Sequence, residues 1–454
     1  MKNGKKVLSV CLSLAMAAGM LSTSAFASWN VYGGSNNHNA VVTEAPTAPD
    51  KSGLDSYIQL HCTGSGWDGV DNVPVLQTVN GTTYAYVLYD GYGASGALVA
   101  KIRCAENGGS SIVWTTDPYG TEGTSLNAKS GFQLSTPYLD DNGTPNDASD
   151  DTLYVGTISQ YDDYEGGEWL TGTGSKVMAL TGLDQNKPTV TNVLTGINGQ
   201  INTPITTDGT YLYFGTWPGG SRAGTYYQVK LSDYSVKTFT PDSYGFYWAG
   251  AVSDGTNVYF GSDNGLLYWR SIADFDTTGG VLDLTDVASD AGNVRSTVML
   301  DDGYLYFTTQ GGYLWCCSYD DGLTVEWHKK LGATSTSTPT KVGDRIYVGY
   351  YSGFNAGGVQ CVSADGSSVK TVVEGDGFPV QSSIVVMGDG TGTDYLYFNT
   401  NAQKGVGYCY SYDGTTGSQV WGTTGDTYAL GGMAIDNGYA VFGNDYNHLY
   451  VVHD

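Results

Sequence analysis

The sequence predicts an all-β protein, an eight-bladed β-propeller of four-stranded antiparallel blades closed by an N-terminal strand. Three observations predict it. First, the phrase Tyr-Leu-Tyr-Phe stands at Tyr211–Phe214, Tyr304–Phe307 and Tyr395–Phe398, with variants at Leu153–Gly156, Val258–Gly261 and Ile346–Gly349. Second, a Ser/Thr-Pro or small-residue step leads into each unit. These steps lie near Val73-Pro74, Thr136-Pro137, Thr203-Pro204, Trp248-Ala249, Ser296-Thr297, Thr338-Pro339, Ser382-Ser383 and Gly431-Gly432, from just over 40 to just under 70 residues apart. Third, several units end in a polar turn holding Asp or Asn and Gly, followed by a Trp. Four strands joined by short turns take roughly 40–50 residues, so each unit is one blade.

The chain begins with an export pattern. Lys2, Lys5 and Lys6 precede the apolar Val7–Leu21, and Ala25-Phe26-Ala27 is a small-x-small cleavage site. Residues 1–27 are therefore expected to be a signal peptide, and 28–454 a single propeller domain. A lipoprotein reading through Cys11 leaves too few apolar residues ahead of the cysteine. No later segment has the length of a membrane span. Localisation is expected to be secreted or cell-surface.

Cleavage removes three lysines and no acids, leaving 17 basic against 45 acidic side chains. Such a surface repels phosphate backbones and excludes nucleic acid as the natural partner. The 65 glycines and 36 tyrosines suit tight turns between strands with aromatic faces. Cys62, Cys104, Cys316, Cys317, Cys361 and Cys409 remain after cleavage, and six cysteines permit fifteen pairings. The repeat places Cys316, Cys361 and Cys409 at one position of the third strand. It also aligns Cys104 with Cys317, so the cysteines read as small buried apolar residues.

Within a unit, the exit from the third strand is the sharpest signal. Ser411-Tyr-Asp-Gly-Thr-Thr-Gly-Ser-Gln-Val-Trp421, Ser318-Tyr-Asp-Asp-Gly-Leu-Thr-Val-Glu-Trp327 and Ala105-Glu-Asn-Gly-Gly-Ser-Ser-Ile-Val-Trp114 share it. Asp or Asn bonds the turn backbone, Gly takes positive φ, and the Trp lies on the outer strand to pack between blades. The eighth unit stops after three strands, Met433–Asp436, Tyr439–Gly443 and His448–His453. Its open edge needs a cover. Tyr57–His61 is placed to supply the missing outer strand, with Trp29–Gly34 packing nearby.

These turns resemble the pyrroloquinoline-quinone-like, or quinoprotein alcohol dehydrogenase-like, β-propeller repeat over nearly the whole mature chain. Trp29-Asn-Val-Tyr-Gly-Gly-Ser-Asn-Asn-His-Asn-Ala-Val, Tyr247-Trp-Ala-Gly-Ala and Asn293-Val-Arg-Ser-Thr-Val further resemble secreted or cell-surface propellers of Gram-positive, clostridia-type bacteria. The resemblance to true quinoprotein dehydrogenases implies a quinone, a calcium ion with acidic and amide ligands, a catalytic Asp, a stacking Trp and often a disulfide between adjacent cysteines. Cys316-Cys317 is the tempting match. Successive strand side chains point to opposite faces, however, and the third strand lies away from the central channel. No cofactor is therefore expected, and pyrroloquinoline quinone least of all.

Function has to be argued from a site rather than from the fold. Propeller ligands sit where the lead-in loops and the loops after the second strands converge. The lead-in positions are Asn72, Thr136, Asn202, Trp248, Arg295, Thr338, Gln381 and Leu430. Trp248 and Arg295 on adjacent blades set an aromatic face beside a cation donor, fit for an anionic or sugar ligand. The alternative is that Trp248 plugs the channel and Arg295 pairs with a carboxylate. Trp217, Gln310, Tyr350-Tyr351, Asn401 and Asn444-Asp445 add aromatics and amides suited to carbohydrate or peptide. The acidic loop Asp140-Asp-Asn-Gly-Thr-Pro-Asn-Asp-Ala-Ser-Asp-Asp151 offers Asp140, Asp141, Asn142 and Asp147 as calcium ligands without EF-hand spacing, or is simply solvated. Asp162-Asp163-Tyr164-Glu165 is a weaker version. The sequence holds no Gly-x-Ser-x-Gly and no His-Glu-x-x-His.

The expected activity is a non-catalytic binding module, a monomer with a carbohydrate, peptide or other cell-surface ligand at the channel mouth. The alternatives are a quinoprotein-type oxidoreductase, or a carbohydrate-active hydrolase or lyase whose paired carboxylates come from different blades.

Overall fold

The computed structural model describes residues 28–63, 69–92, 96–118, 123–128, 131–158, 161–165, 168–171, 174–320 and 322–454. The signal peptide expected over 1–27 lies outside them. So do the side chains of the 162–165 acidic run, where only backbone is described. Eight antiparallel blades form the ring, and the described residues contain almost no helix. Their innermost strands are Val75–Val79, Tyr138–Asp140, Thr206–Thr207, Val252–Ser253, Met299–Asp301, Thr340–Val342, Val385–Met387 and Ala434–Asp436. Among the described residues no helix is long and apolar enough to cross a membrane.

The recurring phrase is explained by its hydrogen bonds. Its second tyrosine lies on the second strand opposite the innermost strand, as in the pairs Thr206↔Tyr213, Val252↔Tyr259 and Met299↔Tyr306. Tyr213 and Tyr259 each donate to a carboxylate of the preceding turn, Asp208 and Asp254, at 2.7 Å. The other oxygen of each Asp accepts two turn amides. One residue therefore closes the turn and anchors the ring above it. Two positions after the tyrosine, several blades carry Gly. A Cβ on Gly349 would lie 2.5 Å from Val380 Cγ1, and one on Gly215 would lie 2.6 Å from Phe246 Cβ. The next blade's connection passes directly over this point.

Between blades, the Thr of the Thr-Pro step serves as a belt. Thr136 Oγ1 accepts from the Val73 amide, Thr297 Oγ1 from Gly250 and Thr338 Oγ1 from Thr297, each across a blade boundary. The outer tryptophans seal the rim: Trp114 and Trp421 are buried, and their Nε1 groups donate to Leu183 O and Pro46 O.

All six cysteines of residues 28–454 are unpaired. Cys316, Cys361 and Cys409 do share one position, opposite Tyr306, Tyr347 and Tyr397. Cys104 does not align with Cys317. Lys101 is paired with Tyr86 as Cys316 is with Tyr306, so Ile102 is the match and Cys104 lies beyond the strand end. The first blade's turn from third to outer strand is two residues longer than the fifth's, 104–110 against 319–323, which shifted an alignment anchored on the tryptophans by two residues.

Ile58–Gln59 pairs antiparallel with His448–Val452 and completes the eighth blade, as its open edge required. The residues before it do more than pack nearby. Backbone carbonyls of Trp29, Asn30, Asn37 and Ala40 accept from Leu76, Leu139, Leu300 and Val386, the inward-facing amides of blades 1, 2, 5 and 7. His38 Nε2 lies 2.8 Å from Ala251 O in blade 4, and the Asn39 amide pairs with both backbone groups of Lys341 in blade 6. This strap runs around the channel and satisfies strand edges that would otherwise face an empty bore.

Candidate functional site

Above the strap the channel narrows to a cavity in which a water-sized group has about 50 Å³ to be centred. Tyr32 from the strap lines it, and its phenol bonds Thr338 Oγ1 at 3.1 Å. Of the eight lead-in positions, Asn72, Thr136, Trp248, Arg295, Gln381 and Leu430 line this one cavity. Asn202 does not; its Nδ2 donates to Gln200 within blade 3. Thr338 is spent on Tyr32. Val73, Pro204, Thr297, Ser382 and Gly431-Gly432 of the lead-in steps line it too, as do Asp71, Leu134 and Thr336, which carried no sequence signal of their own.

Arg295 is held by Asp263, through Nε at 2.7 Å and through Nη2. Asp263 is the second residue of the loop after the second strand of blade 4, a position the sequence reading passed over. Burial raises its carboxyl above the ordinary value, against hydrogen bonding and charge from Arg295 and a hydrogen bond from Trp217. Burial also works to lower Arg295, but the bonds and charge of Asp263 outweigh it and hold the guanidinium above its usual range. The pair is therefore charged and mutually neutralised, as the carboxylate alternative had it. The aromatic partner of Arg295 is Tyr247, whose ring centre lies 4.4 Å from the guanidinium carbon.

Trp217 donates Nε1 to Asp263 at 3.1 Å and meets Tyr247 edge-on at 5.3 Å; Tyr247 in turn meets Trp248 at 4.9 Å. Three aromatics, one cation and one acid thus form one contiguous cluster, of which Trp248 and Arg295 line the cavity. Trp248 sits at φ +59°. That region is costly for a bulky side chain and persists where the surroundings force it, often at a binding site. Gln310 stands one step back, accepting from Asn293 Nδ2 at 2.9 Å on the segment that leads to Arg295.

The acidic loop spends its oxygens on its own turns. Asp140 accepts from Asn142 N, Asp141 from Gly143 N and Asp147 from Ser149, while Asn142 Nδ2 reaches Asp150 O. Among the described residues no three His, Cys, Asp or Glu side chains come together as a metal-holding group. This bears on the quinone as well. Its calcium needs several acidic or amide oxygens, which Asp71, Asn72 and Gln381 could offer in part, but a space of about 50 Å³ has no room for a fused-ring quinone beside a metal ion. Cys316 and Cys317 face different blade interfaces, one toward blade 6 and the other toward blade 4. The residues present do not fit the quinone.

No sequence-family model matches the chain, and no curated protein matches it. Solved structures share its fold. BamB from Moraxella catarrhalis superposes with a TM-score of 0.53 at 13% identity, over 88% of this chain and 97% of its own. A europium-containing methanol dehydrogenase gives 0.55 at 13% identity, over 94% and 89%. The quinohemoprotein alcohol dehydrogenase from Comamonas testosteroni gives 0.55 at 10% identity, over 92% and 77%. The chain thus has the β-propeller fold shared by quinoprotein dehydrogenases and BamB; at such identities the likeness is one of fold alone.

Proposed function

We propose that this chain is an exported, non-catalytic binding propeller acting at or near the cell surface, with its ligand at the channel mouth. One observation carries the reading. Lead-in residues from most of the blades converge on a single cavity lined also by Tyr32, and its Trp248 and Arg295 are packed in turn against Tyr247 and, through it, Trp217. Export is supported by the basic, apolar and small-residue order of residues 1–27.

The cavity takes the tip of a ligand rather than a whole one, and the aromatic cluster takes the remainder. That division suits a peptide or glycan lying across the mouth. The test is binding of the mature protein to peptide and glycan arrays, repeated with Trp248→Ala. A ligand lost in the variant at unchanged melting temperature is the expected outcome. Undiminished binding moves the site elsewhere on the ring.

A further inference from the structure

We propose that the cavity accepts the acetamido group of a neutral N-acetylated amino sugar. This rests on the reading that ligand binds at the channel mouth, and it names the chemistry recognised there.

The argument starts from the polar groups of the wall that are already spent. Thr136 accepts the Val73 amide, Thr297 lies between the Gly250 amide and Trp248 O, and Thr336 donates to Gln381 O. Ser382 donates to Asn399, and Asp71 is engaged within the protein as well. Gln381 is the exception. It is only 8% exposed, yet no group among the described residues bonds its side-chain amide, and neither end of that amide is sealed off. It lines the cavity. An enclosed amide in this state is uncommon and costly, and a ligand that pairs with it relieves the cost. It offers an acceptor, Oε1, and a donor, Nε2. Arg295 adds a second donor, because Asp263 takes its Nε and Nη2 and leaves Nη1. That ion pair is mutually neutralised, so the unspent groups suit an uncharged ligand carrying both N–H and C=O. A secondary amide is such a group.

Size and the apolar wall select among amides. About 50 Å³ is available where one water needs roughly 10–15 Å³ by the same measure, so the space takes three or four groups of that size. The heavy atoms of an acetamido group match that; a pyranose ring is too large and stays outside. Val73, Leu134, Pro204 and Leu430 give the methyl an apolar wall. The primary carboxamide of an Asn or Gln side chain would instead set a polar end against it. For the sugar ring, Trp248 continues from the cavity into Tyr247 and Trp217. An aromatic cluster of that extent buries the C–H face of a sugar better than the thin stem of an acetylated lysine. The formal charge of −25 disfavours acidic sugars.

The experiment titrates the mature protein with N-acetylglucosamine and diacetylchitobiose, by tryptophan fluorescence and by saturation-transfer NMR observed on the sugar. Glucose is the control that lacks the acetamido group, and a peptide with Nε-acetylated lysine carries the same group on a different stem. The decisive variant is Gln381→Met, which keeps the length of the side chain and removes both hydrogen-bonding ends. The expected result is saturable binding of the N-acetylated sugars, with the largest saturation transfer at the acetyl methyl. Binding should be at least tenfold weaker for glucose, and at least tenfold weaker in Gln381→Met at unchanged melting temperature. Equal binding of glucose, or a ring signal stronger than the methyl signal, overturns the proposal in the wild-type protein alone. So does sugar binding that survives Gln381→Met undiminished. The acetylated peptide binding more tightly than diacetylchitobiose overturns the assignment to a sugar. An array ligand lost in Trp248→Ala with no response to N-acetylated sugars retires the acetamido group and leaves the site standing. No ligand sensitive to Trp248 at all retires both.

Discussion

Asn39 offers the sharpest test of the strap. Its side chain imitates a strand residue, donating Nδ2 to Lys341 O at 2.9 Å and accepting the Lys341 amide on Oδ1 at 2.8 Å. Asn39→Ala removes both bonds and leaves both backbone groups of Lys341 facing the channel. Each neutral bond is worth about 0.5–1.5 kcal/mol, and an orphaned buried group costs about 1–3 kcal/mol. Lys341 is only half-buried, so water offsets part of the loss and about 2–3 kcal/mol is expected. Asn39→Asp is the discriminating variant because its shape is unchanged. It keeps the accepting oxygen but turns the donor into a carboxylate oxygen against Lys341 O, so it should cost at least as much as alanine. Eight blades need not unfold in one step, so hydrogen exchange at the Lys341 amide is the better assay. The expected acceleration is roughly 30- to 150-fold, at 1.4 kcal/mol per factor of ten. An Asn39→Ala protein that protects this amide as wild type does would refute the reasoning, showing that Asn39 merely fills space.

Three further outcomes follow from the same structure. Gly261→Ala would drive its Cβ into Val294, the residue before Arg295; a loss of about 1–3 kcal/mol in denaturant unfolding and weakened ligand binding are expected together. Trp248→Gly should abolish binding yet leave thermal stability equal or higher, because it releases a bulky residue from φ +59°. Burial raises Asp151 and Asp436 to about 6, so their charged forms are disfavoured in the fold. The folded state then holds more protons than the unfolded one between about pH 4 and 6, and stability falls as pH rises through that window. Asp436→Asn should therefore raise the urea midpoint at pH 7.5 and change it little at pH 4; an equal shift at both would remove titration as the cause.

The closure by residues 57–61 was legible because a three-stranded last unit leaves a single edge to fill, and few strand-like segments stand outside the repeat. The cavity wall was largely legible, since lead-in residues occupy known places in a periodic ring. Trp248 and Arg295 were found this way. Tyr32 and Asp263 were not. Asp263 lies in an Asp-Asn-Gly turn that resembles many others here, and nothing local marks it as the partner of a residue 32 positions on. Tyr32 and the strap are invisible for a related reason: they follow no repeat, and their hydrogen bonds go to a different blade at nearly every step.

The amino-acid order by itself determined the number of blades, the position of each strand in its blade, the outer tryptophans and the strand that closes the ring. These follow from periodicity, which is local and repeats. Only the tertiary structure decided that the channel is strapped below, that Arg295 is neutralised by Asp263, and that lead-in residues of six blades meet in one cavity sized for a few atoms. Those facts depend on groups brought together from separate blades, and the distances between such groups are set by closing the ring, which no stretch of sequence records.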